Sequence, residues 1–157
     1  GHNELILEWL RVEAGFKKML KNDASTLKEF FGDNLNGSNN HAMFSSYTSW
    51  LFQALGGITV AEEAVGADVI LISPSFTETI NFVDCWHQTI RGRIECRWRR
   101  YKKGIELVIK VPFNLKKCTL KLPKVYQLNK QLPAPIDCDS YHQFYDITDA
   151  GEIKVLL

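Results

Sequence analysis

Two short polar segments in the N-terminal third carry the side chains of this sequence that are best suited to chemistry. The first, Asp23–Phe30, contains the carboxylate of Glu29, and the second, Gly37–Phe44, contains the imidazole of His41 beside the amide of Asn40. Carboxylates and imidazoles are the groups that most often transfer protons in enzymes. Both segments lie close to the point where a helical pattern gives way to a strand pattern.

Spacing alone also gives these residues simple structural roles. Thr26 and Glu29 match a capping box at the start of a short helix that spans Leu27–Phe31. His41 falls in the first turn of a longer helix, which continues to Leu55 and ends at Gly56–Gly57. From the residues alone, therefore, Glu29 and His41 are either helix-start residues or parts of a site.

The elements before and around these segments are predicted to be helices. Apolar residues recur at steps of three and four from Asn3 to about Lys21 and form one stripe: Leu5, Trp9, Val12, Phe16 and Met19. Gly15 is a weak point in this helix. Because nothing upstream covers the stripe, we expect this helix to be the tail of a larger helical domain; pairing of two chains through their exposed helices, as a homodimer, is the alternative.

From Ala67 onward the period changes to two, which is typical of strands. Inward-facing residues are predicted at Ile94, Cys96 and Trp98 in one strand, and at Ile80, Phe82 and Trp86 in the strand before it. Turn signals separate several further short strands. The sequence thus predicts an α+β fold, in which a short helical segment (residues 1–58) precedes an antiparallel β-sandwich (residues 59–157).

Composition excludes several classes of function. The 157 residues include 45% hydrophobic and 24% charged residues, and the formal net charge is +1, so no nucleic-acid partner is indicated and the basic residues between Arg91 and Lys103 are interpreted as a solvated hairpin face. No apolar run is long enough for a membrane span. The four cysteines lack a metal-ligand spacing, so neither a metal nor another cofactor is expected; they are interpreted as buried free thiols in strands, with disulfides as the alternative if the chain is exported.

The same segments resemble a known family. The run from Phe16 to Glu29 resembles the aromatic-rich segment that ends in a Thr-Leu-aromatic-Glu element in bacterial α-L-rhamnosidases, glycoside hydrolase family 78. Gly37–Phe44 is similar to their Gly-Ser-x-Asn-His-x-x-Phe-Gly element, and Trp50–Ile58 to the closing helix of their α/α barrel. The strand Arg93–Trp98 resembles part of their C-terminal β-sandwich.

The resemblance implies an inverting glycosidase, whose two carboxyl groups lie about 6.5–9.5 Å apart. It implies that Glu29 is the general base, that His41 and Asn40 contact the sugar, and that Phe16 stands where the family has a tryptophan platform. The general acid would lie upstream. Lys28, the pair Lys17–Lys18 and Ser45 depart from the family pattern, which puts the specificity for rhamnose in question.

Two functional hypotheses follow. In the first, the chain is the C-terminal portion of a rhamnosidase-like hydrolase that binds rhamnose-containing glycans or glycosides, is inactive as an isolated chain, and comes from a parent whose export to the periplasm or the medium is slightly favoured. In the second, it is a non-catalytic carbohydrate-binding or structural sandwich, with Trp86, Trp98 and Tyr101 as candidate sugar-stacking residues.

Overall fold

A computed structural model describes residues 2–13, 16–19, 26–29, 37–126 and 132–157. The chain forms two compact units, one made of Gly1–Leu51 with Thr77–Thr79 and the other of Phe52–Phe76 with Ile80–Leu157. The predicted division into the terminal helices of an α/α barrel, residues 1–58, and a β-sandwich domain, residues 59–157, stays a prediction.

The N-terminal unit begins with two helices in place of the single one predicted. Helix α1 spans Asn3–Arg11, and helix α2 spans Phe16–Met19. The long helix is wrong because the backbone turns to an extended conformation at Val12, with ψ of 135°. The predicted stripe is also divided: Phe16 and Met19 are buried, whereas Leu5, Trp9 and Val12 are exposed. Pairing of two chains through this exposed part of α1 stays a prediction.

Helix α1 is fixed by its charged side chains. The Glu4 carboxylate accepts hydrogen bonds from the Glu78 N–H and, at 2.7 Å, from the Thr79 hydroxyl. The Arg11 guanidinium donates to the Thr79 carbonyl at 3.2 Å. The bond from the Thr79 hydroxyl is the main reason that the pKa of Glu4 lies below its ordinary value. Residues 77–79 thus belong to the N-terminal unit because α1 binds them.

The short helix predicted over Leu27–Phe31 is absent from residues 26–29, which are extended or bent; its remainder lies outside the described residues. The longer helix is present but is irregular. A 3₁₀ turn spans Ala42–Ser46, an α-helical turn, α3, spans Tyr47–Trp50, and a π-helical turn spans Leu51–Leu55. Gly56–Gly57 ends it as predicted, and His41 lies immediately before it.

The C-terminal unit is a β-sandwich. Its nine strands are β1 (Ile58–Val60), β2 (Val69–Ile72), β3 (Phe82–Thr89), β4 (Gly92–Tyr101), β5 (Gly104–Lys110), β6 (Lys117–Pro123), β7 (Asp137–Cys138), β8 (His142–Asp146) and β9 (Glu152–Leu156). One sheet has the order β1-β2-β6-β8-β7 and the other β3-β4-β5-β9. All neighbours are antiparallel except β2 and β6. The predicted helical segment followed by a mainly antiparallel sandwich is confirmed.

The side chains of strand β3 that face the core are not the ones predicted. The two-residue turn at Ile90–Arg91 pairs Thr89 with Gly92, and this register places Cys85 opposite Cys96. Directly opposed residues share a face of the sheet, so Cys85 points inward together with Cys96. Phe82 and Trp86, predicted to be inward, therefore lie on the outer face, where 56% and 47% of their surface is exposed.

The core lies between the two sheets and takes residues from every strand except β7. The predicted inward residues Ile94, Cys96 and Trp98 are all buried. The Trp98 indole N–H donates to the Leu55 carbonyl at 3.1 Å, and the Ser75 N–H donates to the Ala54 carbonyl at 3.1 Å. These two bonds satisfy carbonyl groups that the end of the helix leaves unpaired.

Two glycines allow the turn after this helix. Gly57 has a φ of 73°, and a Cβ there would lie 2.3 Å from the backbone nitrogen of Pro74. A Cβ on Gly56 would lie 2.3 Å from the Sγ atom of Cys85. The Gly-Gly pair therefore both ends the helix and lets the chain pass closely over the Ser73–Pro74 backbone and strand β3.

Candidate functional site

The candidate site consists of two backbone segments, residues 26–29 and 38–41, that run side by side in opposite directions. The Glu29 N–H donates to the Ser38 carbonyl, and the His41 N–H donates to the Leu27 carbonyl, both at 2.9 Å. The second bond occupies the Leu27 carbonyl, which a helix starting there would use within itself, in keeping with the non-helical backbone of residues 26–29. The pairing brings the predicted base and the Asn-His element together.

The Glu29 carboxylate is held by the opposite segment. Its Oε2 atom accepts a hydrogen bond from the Ser38 N–H at 3.0 Å, and the side chain is half-buried. The capping-box interpretation is therefore wrong: the Thr26 hydroxyl donates to the Asn39 carbonyl instead. Within the described residues, the Oε1 atom of Glu29 has no hydrogen-bond partner.

Ser38 also shapes the start of the Asn-His element. Its hydroxyl donates to the Asn40 carbonyl at 3.1 Å and accepts a bond from the Asn40 N–H at 3.2 Å. This local bonding fixes the Asn40 backbone and leaves its side chain exposed. His41 is half-buried, and its backbone is anchored to Leu27.

A small apolar cluster lies beneath the paired segments. Leu27 is buried together with Phe16 and Met19. The Phe16 ring packs edge-on against Trp9, with 5.0 Å between centroids, and in a tilted arrangement on Tyr47 at 4.7 Å. These are the contacts of a core residue, and a sugar contact by Phe16 stays a prediction. Leu27 and Glu29 lie on one short segment, so burial of the Leu27 side chain helps to hold the backbone of Glu29 in place.

This arrangement can hold a carboxylate beside amide and imidazole groups. Such a set can accept a proton and can form hydrogen bonds to hydroxyl groups of a ligand. The sequence prediction did not identify Ser38 as the partner of Glu29, since Ser38 entered it only as part of the Gly-Ser-x-Asn-His element. The spacing of nine residues between Ser38 and Glu29 corresponds to no local motif.

Neither a metal-ligand cluster nor a membrane-spanning helix is found in the part of the chain that the structure describes. Across these residues, no three His, Cys, Asp or Glu side chains are placed to hold a metal ion. Among the described helices, none has the length and apolar character to cross a membrane.

Comparison with known proteins supports one family. Residues 60–133 match the model of the bacterial alpha-L-rhamnosidase C-terminal domain. An alpha-L-rhamnosidase of Formosa agariphila is 27% identical over 75 residues, which are 48% of this chain and 8% of that protein. The chain thus spans a small part of this curated relative's length.

Solved structures show the same fold over nearly the whole chain. The alpha-L-rhamnosidase from Dictyoglumus thermophilum matches 99% of this chain with a TM-score of 0.83 and 19% identity, and the match covers 19% of that protein. The Streptomyces avermitilis alpha-L-rhamnosidase complexed with L-rhamnose matches 100% with a TM-score of 0.84 and 15% identity, over 16% of its length. Residues 60–133 are therefore similar to the C-terminal domain of bacterial alpha-L-rhamnosidases, in agreement with the resemblance found in the sequence, and the chain has the fold of part of these two solved structures.

Proposed function

We propose that the chain is the C-terminal portion of a rhamnosidase-like inverting glycoside hydrolase that acts on terminal α-L-rhamnosides of glycans or glycosides. The observation that carries the proposal is the bond between the Ser38 N–H and the Glu29 carboxylate. It joins the two elements by which the sequence resembles the family, although nothing in the local sequence requires them to meet.

In this proposal Glu29 is the general base. An inverting enzyme needs a carboxylate that takes a proton from a water molecule while a second carboxyl group, about 6.5–9.5 Å away, protonates the leaving oxygen. The Ser38 N–H would keep Glu29 oriented through Oε2, and Oε1 would accept the water proton. His41 and Asn40 would bind hydroxyl groups of the sugar, and Phe16 would support the site from beneath or stack on the sugar.

The general acid would come from the upstream part of the longer protein. Since this chain would then hold one member of the catalytic pair, we expect no hydrolysis by the isolated 157 residues. Turnover of an aryl α-L-rhamnoside by the isolated chain, abolished by Glu29→Gln, would contradict this expectation.

The main test uses the full-length parent protein with an aryl α-L-rhamnoside. Glu29→Gln should lower kcat by about 10²–10⁴-fold, because the amide cannot accept the water proton. Glu8→Gln, an exposed acid on α1, is the matched control and should leave kcat unchanged. Equal kcat values for Glu29→Gln and the wild type, with both proteins folded by circular dichroism, would reject the role of Glu29.

The second hypothesis, a non-catalytic carbohydrate-binding sandwich, retains part of its support. Trp98 is a core residue with 2% of its surface exposed, so it cannot stack on a sugar. Trp86 and Tyr101 are exposed and lie on the outer face of the four-stranded sheet. The specific observation in favour of sugar binding is that aromatic rings are displayed on this face.

A further inference from the structure

The outer face of the sheet β3-β4-β5-β9 forms a shallow groove of about 380 Å³, lined among others by Phe82, Asp84, Arg97, Arg99, Glu106 and Lys154. Its volume falls in the lower part of the range for small-molecule sites, about 300–1,000 Å³. The register places Phe82 opposite Arg99 and Asp84 opposite Arg97. The groove therefore follows the central and edge strands and lies wholly within the C-terminal unit.

Aromatic rings in and beside the groove are held in place by arginines. The Arg99 guanidinium lies 5.1 Å from the centroid of the Phe82 ring, and the Arg93 guanidinium lies 4.5 Å from that of Trp86. Such cation–π contacts fix the ring and the cation together. More than half of the Phe82 surface nevertheless remains exposed, so the ring can still contact a ligand.

Most charged groups on this face are already paired. Glu106 pairs with Lys154 at 2.8 Å, Glu152 pairs with Lys110 at 3.1 Å, and Glu95 pairs with both Arg93 and Arg97 at 3.0 and 3.1 Å. Within the described residues, the Asp84 carboxylate has no ion pair or hydrogen bond, and Arg99 has only its contact with Phe82. Phe82, Asp84 and Arg99 are neighbours on this face. Their ring, carboxylate and guanidinium groups can therefore still contact a ligand, whereas the charged groups around them are paired.

We infer that this groove binds a neutral sugar unit through Phe82, Asp84 and Arg99. A carboxylate accepts hydrogen bonds from two neighbouring hydroxyl groups, a guanidinium donates to hydroxyl and ring oxygens, and an aromatic ring packs on the C–H face of a sugar. The groove lining carries three acidic residues, Asp84, Glu106 and Glu152, and three basic ones, Arg97, Arg99 and Lys154. An anionic ligand would therefore gain no net attraction, which favours a neutral polyhydroxyl compound.

The choice of sugar rests on the proposed function, since a rhamnose-containing glycan is the compound that the parent hydrolase would meet. The groove would be an accessory binding site, formed by residues other than Glu29 and His41. It would hold part of a glycan without taking part in bond cleavage.

The test is a titration of the ¹⁵N-labelled 157-residue chain, followed by NMR, with a disaccharide that ends in α-L-rhamnose. We expect millimolar binding, with shift changes centred on the amides of residues 82–84 and 97–99 and on the Arg99 side chain. Phe82→Ala and Asp84→Asn should each weaken binding about tenfold or more, because each removes one of three contacts. Both residues are exposed, so the variants should keep the wild-type thermal stability.

Matched controls come from exposed residues elsewhere in the C-terminal unit. Phe113→Ala and Asp137→Asn carry the same substitutions outside the groove and should bind the disaccharide as the wild type does. Absence of shift changes on the sheet at tens of millimolar sugar would overturn the inference, as would changes centred on residues 26–29 and 38–41. Equal weakening by the control variants would overturn it too.

The two proposals fail separately. If the parent enzyme depends on Glu29 for hydrolysis but the chain shows no sugar binding on the sheet, the inferred sugar-binding groove is rejected and the proposed function stands. If the sheet binds the sugar but Glu29→Gln leaves hydrolysis unchanged, the groove stands and the role of Glu29 is wrong.

Discussion

At the scale of single residues, the four cysteines differ in how far water reaches them. Cys85, Cys96 and Cys118 are buried in strands, as expected, whereas Cys138 is exposed in the short edge strand β7. Burial raises the pKa of Cys118 to about 12 and also raises the pKa values of Cys85 and Cys96. The thiolate is the reactive form, so the three buried thiols stay protonated and unreactive near neutral pH.

We therefore expect iodoacetamide at pH 8 to modify one thiol of the folded chain rapidly and all four thiols in denaturant. Intact-mass spectrometry over time would count the modified groups. Cys138→Ser should abolish the fast step without changing the fold. Rapid modification of two or more thiols in the folded chain would show that the core around β3, β4 or β6 opens readily.

The candidate site shows what single residues could and could not predict. Glu29, Asn40 and His41 were selected as candidates because they lie in the two segments that resemble family elements; their types and spacing alone also allowed simple structural roles. The partner of Glu29 could not be predicted, because its bond to Ser38 accompanies two backbone bonds between segments that no local sequence pattern joins. The capping box was a reasonable local reading of Thr26 and Glu29, but tertiary pairing outweighed it.

At the scale of elements, the strands were more predictable than the helices. Strands β4, β5 and β6 have strict alternation that fixes their inward faces. Strand β3 carries apolar residues on both faces, so its phase depended on the turn at Ile90–Arg91 and could not be read from its own pattern. The parallel pairing of β2 with β6 could not be predicted from the sequence either, since no local signal specifies which distant strand is a neighbour.

The turn at Gly56–Gly57 gives a prediction at this scale. Gly57→Ala should lower the free energy of unfolding by about 3 kcal/mol or more, because a left-handed backbone costs a Cβ residue energy and that Cβ would collide with the Ser73–Pro74 backbone. Gly66 also has a positive φ, 59°, but a Cβ there meets only the end of the Ile90 side chain, at 2.8 Å. Gly66→Ala should therefore cost only about 1–2 kcal/mol.

Urea denaturation of both variants, followed by circular dichroism, would measure the difference. The pair is informative because both substitutions introduce the same strained backbone angle and differ only in what the new methyl group meets. Equal losses for the two variants would mean that the Ser73–Pro74 segment moves away without cost.

At the scale of the whole molecule, the buried clusters of the two units differ in size among the described residues. The described cluster of the N-terminal unit centres on Phe16, Met19 and Leu27, whereas the sandwich core extends through both sheets. Local opening is easier where few apolar contacts hold a region together. We expect backbone amides of β4 and β5 to exchange hydrogen slowest and those of α1 to exchange much faster.

Hydrogen exchange followed by mass spectrometry of peptides would test this order. The predicted difference is at least about a hundredfold in exchange rate, which corresponds to about 2.7 kcal/mol in the free energy of opening. Protection of α1 equal to that of β5 would show that the N-terminal unit opens only when the sandwich does.

The parallel contact between β2 and β6 has a kinetic consequence. Val69 pairs with Lys117, and the chain between them builds β3, β4 and β5 in the opposite sheet. Closing this long loop costs chain entropy before the contacts between β2 and β6 form. Proteins that are rich in such pairings between distant residues fold in roughly milliseconds to seconds. During synthesis, β2 leaves the ribosome well before β6. Until β6 has been made, β1 is the only neighbouring strand with which β2 can pair in its sheet.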